Sequence, residues 1–251
     1  MSNPPPARSA SLAPLARPAA PAPTFPWAAW LTHVYTATGA GLAFLSLAAV
    51  VQGDIREAFV WLVLALGVDS SDGVLARTFR IKERLPEVDG AHLDDIIDYL
   101  TYVFVPLFLL YHTNRLPAQW GLAVVFAILI ASVIAFSKSD AKTSDNFFTG
   151  FPSYWNVIAF YLYAFGASPG LNAGILLVLC LLIFVRTGYV YPSRTTTLRP
   201  VTVVFGCAWG VLMLFLLWQM PSIDRVLLWL SLSFPLYYTV LSLVLHCRRQ
   251  P

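Results

Sequence analysis

Eight stretches of apolar residues follow one another along the chain, roughly Trp27–Val51, Ala58–Arg77, Leu93–His112, Trp120–Ser137, Pro152–Gly166, Leu171–Val190, Val201–Met220 and Arg225–His246. Most approach the ~20 residues that a helix needs to cross a ~30 Å hydrocarbon core; the fifth is shorter. Short loops join them, and no internal repeat is visible. The pattern predicts an all-α polytopic membrane protein of about eight transmembrane helices. Ahead of the first stretch lies MSNPPPARSASLAPLARPAAPAPTFP, rich in proline and alanine and without acid. It cannot bury a core, and its prolines interrupt any signal-peptide apolar segment. Residues 1–26 are expected to form a disordered cytoplasmic tail, and residues 27–251 a single integral membrane domain.

Composition agrees. Of 251 residues, 58% are hydrophobic and 12% charged, with a mean hydropathy of +0.68; a soluble domain carries about 25% charge. The net charge of +3 gives no reason to expect a nucleic-acid partner. Cys180, Cys207 and Cys247 lie in or beside apolar runs without metal-ligand spacing and read as small hydrophobes. The placement of charge is more informative. With the N-terminus inside, all but Arg56, Arg115 and Arg225 of the 16 basic residues fall on the cytoplasmic side. Both termini are then cytoplasmic, and so is the loop Thr78–Asp89.

That loop joins the two stretches that carry acid: Asp69 and Asp72 near the end of one, Asp94 and Asp98 near the start of the next. An aspartate at the centre of a spanning helix costs about 2.5–3.5 kcal/mol, so four unpaired ones would cost on the order of 10 kcal/mol. Depth near the interface lowers this figure, but something must still neutralise them. Asp69, Asp72, Gly73 and Ala76 recur at helical spacing and share a face, as do Gly90, Asp94 and Asp98. Facing each other, the two helices gather four carboxylates in one cytoplasm-facing cleft. Carboxylate oxygens are hard ligands that suit Mg²⁺ or Mn²⁺, and four suffice for a two-metal site. Gly73, Ala76 and Gly90 leave room for a ligand or for a neighbouring helix. Arg77 suits phosphate through its planar fork. Arg80, Lys82 and Arg84 fit phosphate or simply the cytoplasmic side of a membrane.

The pattern Asp-x2-Asp-Gly-x2-Ala-Arg followed by Gly-x3-Asp-x3-Asp resembles the signature of the CDP-alcohol phosphatidyltransferases. Asp69, Asp72, Gly73, Ala76, Arg77, Gly90, Asp94 and Asp98 fill every position, with twelve residues between Arg77 and Gly90. The resemblance implies a divalent metal pair, Mn²⁺ or Mg²⁺, on Asp69, Asp72, Asp94 and Asp98. It implies a CDP-lipid admitted by Gly73, Ala76 and Gly90, with Arg77 on phosphate and Asp98 as general base. Asp95 lies outside the signature and reads as a polar face residue. A homodimer is also implied.

LDDIIDYLTYVFVP (Leu93–Pro106), the Leu85-Pro86 loop and GFPSYWNVIAFYLY (Gly150–Tyr163) resemble the bacterial phosphatidylcholine synthase branch of that family. This closer resemblance implies the bacterial inner membrane as location. Its substrates would be CDP-diacylglycerol and choline, its products phosphatidylcholine and CMP. Choline carries a quaternary ammonium that aromatic faces hold by cation–π attraction. Tyr102, Tyr154, Trp155, Tyr189 and Tyr191 are the aromatic candidates, with Asn156 as a polar one; interfacial anchoring is their alternative role. Tyr99, which follows Asp98, is a further aromatic candidate. Arg186 is expected within the sixth span, His92 in a cap or loop, His33 as a helix–helix partner, and His112 and His246 at span ends. Ser137–Phe148 is expected as a solvated loop or a lid. The competing readings are a sister enzyme using serine or another small alcohol and an ion-coupled transporter; the latter lacks a repeat or interrupted midplane helices.

Overall fold

The computed structural model describes residues 26–138, 147–191, 195 and 197–249. The expected tail through residue 25 and most of the Ser137–Phe148 loop lie outside the described residues. The helices are α1 (Pro26–Gln52), α2 (Ile55–Thr78), the short α3 (Ile81–Arg84), α4 (Gly90–Asp98), α5 (Val105–His112), α6 (Gly121–Phe136), α7 (Trp155–Phe165), α8 (Pro169–Leu182), α9 (Arg199–Trp218), α10 (Arg225–Ser231) and α11 (Ser233–Arg249). Among the described residues, four spans are long and apolar enough to cross a membrane: Ala29–Gln52, Ile55–Thr78, Arg199–Trp218 and Arg225–Arg248. α6, α7 and α8 are shorter and also apolar. α7, with 11 residues, rises roughly 16 Å, about half a hydrocarbon core.

The third apolar stretch is helical from end to end but not uniform. Between α4 and α5 the chain widens into a π-helical segment, Tyr99–Phe104. Pro106 follows at once; it has no N–H for the carbonyl four residues back, and a wider turn relieves the clash with that carbonyl. α5 is buried nearly all round, with Leu107 and Leu109 fully covered, so it forms the centre of the bundle. The outside is the reverse of a soluble protein's. Phe44 and Val204 are each 70% exposed and Leu181 68%. An apolar belt of this kind is stable against lipid, not against water.

Two expectations need correction. The described residues are not purely helical: β1 (Phe147–Thr149) and β2 (Gly188–Val190) pair antiparallel, with Phe148 opposite Tyr189. The sixth span accordingly ends at Leu182, and Arg186 is an exposed loop residue, not an intramembrane cation. The physical reason lies at the end of α8. The N–H groups of Ile183, Phe184 and Val185 each bond three residues back, tightening the last turn. The carbonyls of Leu182 and Thr187 then accept from Phe151 and Gly150, which replaces a further helical turn with a tie to the ribbon. Gly150 sits at φ +83°, and a Cβ there would collide with the carbonyl of Ile183, so only glycine fits.

Trp155 is the largest fully buried side chain, and its indole N–H donates to Ser132 Oγ at 3.0 Å. Trp155→Ala is expected to cost about 3–5 kcal/mol through the cavity it leaves. Thermal unfolding of the detergent-solubilised protein checks this; a change of melting temperature within experimental scatter would contradict it.

Candidate active site

Three helices build the site. Gly53 turns the chain, and Asp54 caps α2 by accepting from Glu57 N, sending α2 back along α1. Ser46 Oγ then donates to Ala58 O at 2.8 Å, Tyr35 Oη and Ser71 Oγ meet at 2.8 Å, and Thr36 Oγ1 donates to Asp72 Oδ2 at 2.9 Å. These polar pairs fix the register of two otherwise apolar helices. α4 starts at Gly90, earlier than the sequence suggested, because Asp89 caps it by accepting from Ala91 N and His92 N. It packs tightly on α1 where Gly39 offers no side chain to Ile97.

The result sets Asp69 of α2 beside Asp94 and Asp98 of α4. One carboxylate oxygen from each lies within 4.8 Å of the other two. Ligand oxygens around an octahedral ion with bonds of about 2.1 Å sit roughly 3–4 Å apart, so this donor set fits Mg²⁺ or Mn²⁺. Asp72 does not join the trio as the sequence suggested. Three residues advance a helix by roughly 300°, which turns Asp72 about 60° from Asp69 and toward α1. There it is buried, 7% exposed, and takes the Thr36 hydroxyl.

The trio opens into a cleft of about 500 Å³. Its walls include Tyr102, Tyr154, Tyr191 and Phe148, together with Asp95 and Lys138. Tyr102 Oη donates to Asp69 Oδ2 at 2.7 Å and so orients that carboxylate. The far wall depends on the last helix. Ser242 Oγ accepts from Val190 N and His246 Nδ1 accepts from Gly188 N, while Tyr238 Oη donates to Val190 O. α11 thereby holds β2, and Tyr191, just beyond it, meets Phe148 of β1 with ring centroids 4.8 Å apart.

The remaining candidates lie elsewhere. Trp155 is sealed in the core, and Tyr189 is 7% exposed against Phe151 and Tyr238. Asn156 lines a different cavity, between α2, α7 and α9. Gly73, Ala76, Arg77 and Gly90 do not line the 500 Å³ cleft. A Cβ on Gly73 would lie 3.3 Å from Arg77 Nη1, so the guanidinium folds back over that glycine. A Cβ on Gly90 would lie 3.1 Å from His33 Cε1. His33 does contact α4, but its buried Nε2 has no hydrogen-bond partner. Thr36, Phe148 and Lys138 were not singled out in the sequence. Thr36 lies on an apolar-looking helix. The other two flank a polar loop that carries no periodicity.

The comparisons with known proteins bear on this geometry. No family model matches the chain. It is 41% identical to a phosphatidylcholine synthase of Legionella pneumophila over 82% of this chain and 83% of that protein. It is 39% identical to one of Pseudomonas aeruginosa, covering 84% and 88%, and 34% identical to one of Borreliella burgdorferi, covering 74% and 81%. The chain belongs to the phosphatidylcholine synthase family. An aligned stretch covering 82% of the chain has to run across the Asp69–Tyr191 region. As a member of a phosphatidylcholine synthase family it is a phosphatidyltransferase, and a cleft of acids under an apolar belt suits lipid chemistry.

Asp94→Asn is expected to weaken Mn²⁺ binding, read by electron paramagnetic resonance of the free ion, by about tenfold or more. Asp54→Asn, at the opposite end of α2, should leave it unchanged. Equal Mn²⁺ affinity in both variants would remove the trio as the metal site.

Proposed function

We propose that this protein transfers the phosphatidyl group of CDP-diacylglycerol to choline, giving phosphatidylcholine and CMP. The observation that carries the reading is the acid trio opening into an aromatic-walled cleft. Among the described residues lining the cleft, four are aspartates and one, Lys138, is a cation. Asp95, a carboxylate outside the metal trio, favours a cationic alcohol beside these walls. Tyr102, Tyr154, Tyr191 and Phe148 offer the ring faces that a quaternary ammonium requires.

Asp69, Asp94 and Asp98 would hold Mn²⁺ or Mg²⁺, while Asp72, bonded to Thr36, ties α2 to α1. When bound, such an ion supplies positive charge to the pyrophosphate oxygens as the bond to CMP breaks. The chain's own residues do the rest. Asp98 takes the proton of the choline hydroxyl, whose oxygen is a poor nucleophile until a positioned base removes it. That oxygen forms a new bond to the phosphorus bearing diacylglycerol, and the bond from this phosphorus to the bridging oxygen breaks, so CMP leaves with the electron pair. Tyr102 keeps Asp69 turned into the cleft. Gly73, Ala76, Arg77 and Gly90 form the nucleotide side, with Arg77 unfolding from Gly73 onto phosphate.

The proposed setting is the bacterial inner membrane, crossed eight times with both termini in the cytoplasm. Arg115 and Arg225, two of the three basic residues assigned to the outer side, support this. Arg225 donates to the carbonyls of Ala164 and Phe165, and the Arg115 guanidinium lies 4.6 Å from the Tyr163 ring. Both therefore gather at the C-terminal end of α7, while the acids lie near its N-terminal end.

Purified protein given CDP-diacylglycerol and Mn²⁺ is expected to form lipid with choline, and not with serine, inositol or glycerol phosphate. A lipid product with serine alone would overturn the acceptor. Asp98→Asn should abolish turnover while the melting temperature stays put; a near-normal rate would remove Asp98 as base. Tyr191→Leu should raise the KM for choline by roughly five- to thirtyfold, the loss of one desolvated cation–π contact, with little change in the KM for the CDP-lipid.

A further inference from the structure

In a two-stranded ribbon each strand has one edge without a strand neighbour, and inside a membrane those backbone groups need partners from the protein itself. On β2 the partners are side chains of α11. Tyr238 Oη donates to Val190 O at 2.9 Å, Ser242 Oγ accepts from Val190 N at 3.1 Å, and His246 Nδ1 accepts from Gly188 N at 3.1 Å. The Ser242 hydroxyl donates its own proton to Tyr238 O at 2.7 Å, which leaves its lone pairs to the strand. The three residues stand four apart and share one face of α11. Four helical residues advance about 6 Å, and two residues of an antiparallel strand about 6.8 Å. The step from Ser242 to His246 therefore matches the step from Val190 to Gly188. α11 takes the place of a third strand, with side chains where a strand would offer backbone.

This ladder stands behind the cleft. Tyr238, Ser242 and His246 do not line it, and Ser242 is fully buried. What they hold does line it. Tyr191 follows Val190 directly, Phe148 lies opposite Tyr189 in the ribbon, and both rings wall the cleft. The Tyr238 ring also packs edge-on against the ring of Tyr154, with centroids 6.1 Å apart. Three of the four aromatic walls thus rest on α11: Tyr191 and Phe148 through the ribbon, Tyr154 through the ring of Tyr238.

We propose that Tyr238, Ser242 and His246 are positioning residues for the acceptor alcohol. The inference rests on the choline reading above. Attraction between a quaternary ammonium and a ring requires the cation within about 6 Å of the centroid, and a misplacement of about 1 Å is enough to disable an oriented site. A ribbon of two short strands is marginal by itself and cannot hold two rings to that tolerance. The ladder supplies the missing rigidity. The acids stand on α2 and α4, which α1 holds in register, so loss of a rung reaches the acceptor and spares the metal and the CDP-lipid.

The test removes rungs singly from the full chain. Tyr238→Phe keeps the ring and deletes the hydroxyl. His246→Leu deletes the acceptor, and His246→Asn puts an amide oxygen where Nδ1 stood. With Mn²⁺ and CDP-diacylglycerol, Tyr238→Phe and His246→Leu are expected to raise the KM for choline by about fivefold or more, the loss of at least one well-placed ring contact. The KM for the CDP-lipid and the affinity for Mn²⁺ should stay as in the unaltered protein, and His246→Asn should keep the original choline KM. Tyr237→Phe, which deletes a hydroxyl bonded to Thr202 at 2.8 Å, measures loss of stability alone: its melting temperature should fall while its choline KM does not. An unchanged choline KM in both Tyr238→Phe and His246→Leu, with phosphatidylcholine still formed, overturns the ladder and spares the proposed function. A parallel rise of both KM values with weakened Mn²⁺ binding does the same, as does a His246→Asn protein no better than His246→Leu. Absence of any choline lipid from the unaltered protein overturns the function and this inference with it. Two separate rungs keep the question answerable if one variant does not accumulate.

Discussion

The mutual repulsion of three carboxylates is the constraint around which the molecule is arranged. At separations up to 4.8 Å, two unit charges repel by about 3 kcal/mol at an effective dielectric constant near 20, and three pairs approach 10 kcal/mol. A fold that presses Asp69, Asp94 and Asp98 together builds a site that positive charge entering among them stabilises. One hydroxyl donated to a carboxylate contributes about 1.5–3 kcal/mol, so Tyr102 on Asp69 offsets only part of the cost. A divalent ion offsets it in one step. The same stored repulsion sharpens the site's preference for doubly charged ions over singly charged ones.

Packing around the trio serves to keep it from relaxing. α1 holds α2 through three polar pairs and admits α4 closely at Gly39. α5, largely buried, packs against the π-helical segment that continues α4. The ribbon of β1 and β2 closes the other side of the cleft, and α11 holds the ribbon by its Ser242, His246 and Tyr238 side chains. Asp69 of α2 and Tyr191, which follows the strand that α11 holds, thus line one cavity. Disturbing α11, about 50 residues along the chain from β2, acts on the aromatic wall and not on the acids.

Two kinds of information were readable in the sequence, and three were not. The apolar runs and the acid spacing are periodic over many residues, and the helices α1, α2, α6, α9 and the Gly90–His112 run follow them closely. The rotation of one helix against a third was not readable: the spacing puts Asp72 on the same broad face as Asp69, but Thr36 of α1 draws it away. The ribbon was hidden because a three-residue strand has no period to detect. Aromatic residues near span ends could not be sorted, since the same tyrosines anchor interfaces and bind cations. Geometry separates them: Tyr102, Tyr154 and Tyr191 line the cleft, whereas Trp155 and Tyr189 serve the core and Asn156 the second cavity.

The contents of the cleft also argue for one acceptor among several small alcohols under the proposed reaction. Among the described lining residues, Lys138 is the one cation available to a phosphorylated alcohol. Serine brings a carboxylate, and Asp95 repels it without belonging to the trio. Ethanolamine is a cation, but its ammonium carries three N–H donors that lose water on entry and need acceptors in return. Ring faces are poor acceptors for them. A trimethylammonium has no such donors, so the same faces that fail ethanolamine suit choline: they contact its methyl groups and attract its charge at no cost in unmade hydrogen bonds. Discrimination therefore follows from what the walls withhold, an acceptor for each N–H, as much as from the attraction they offer.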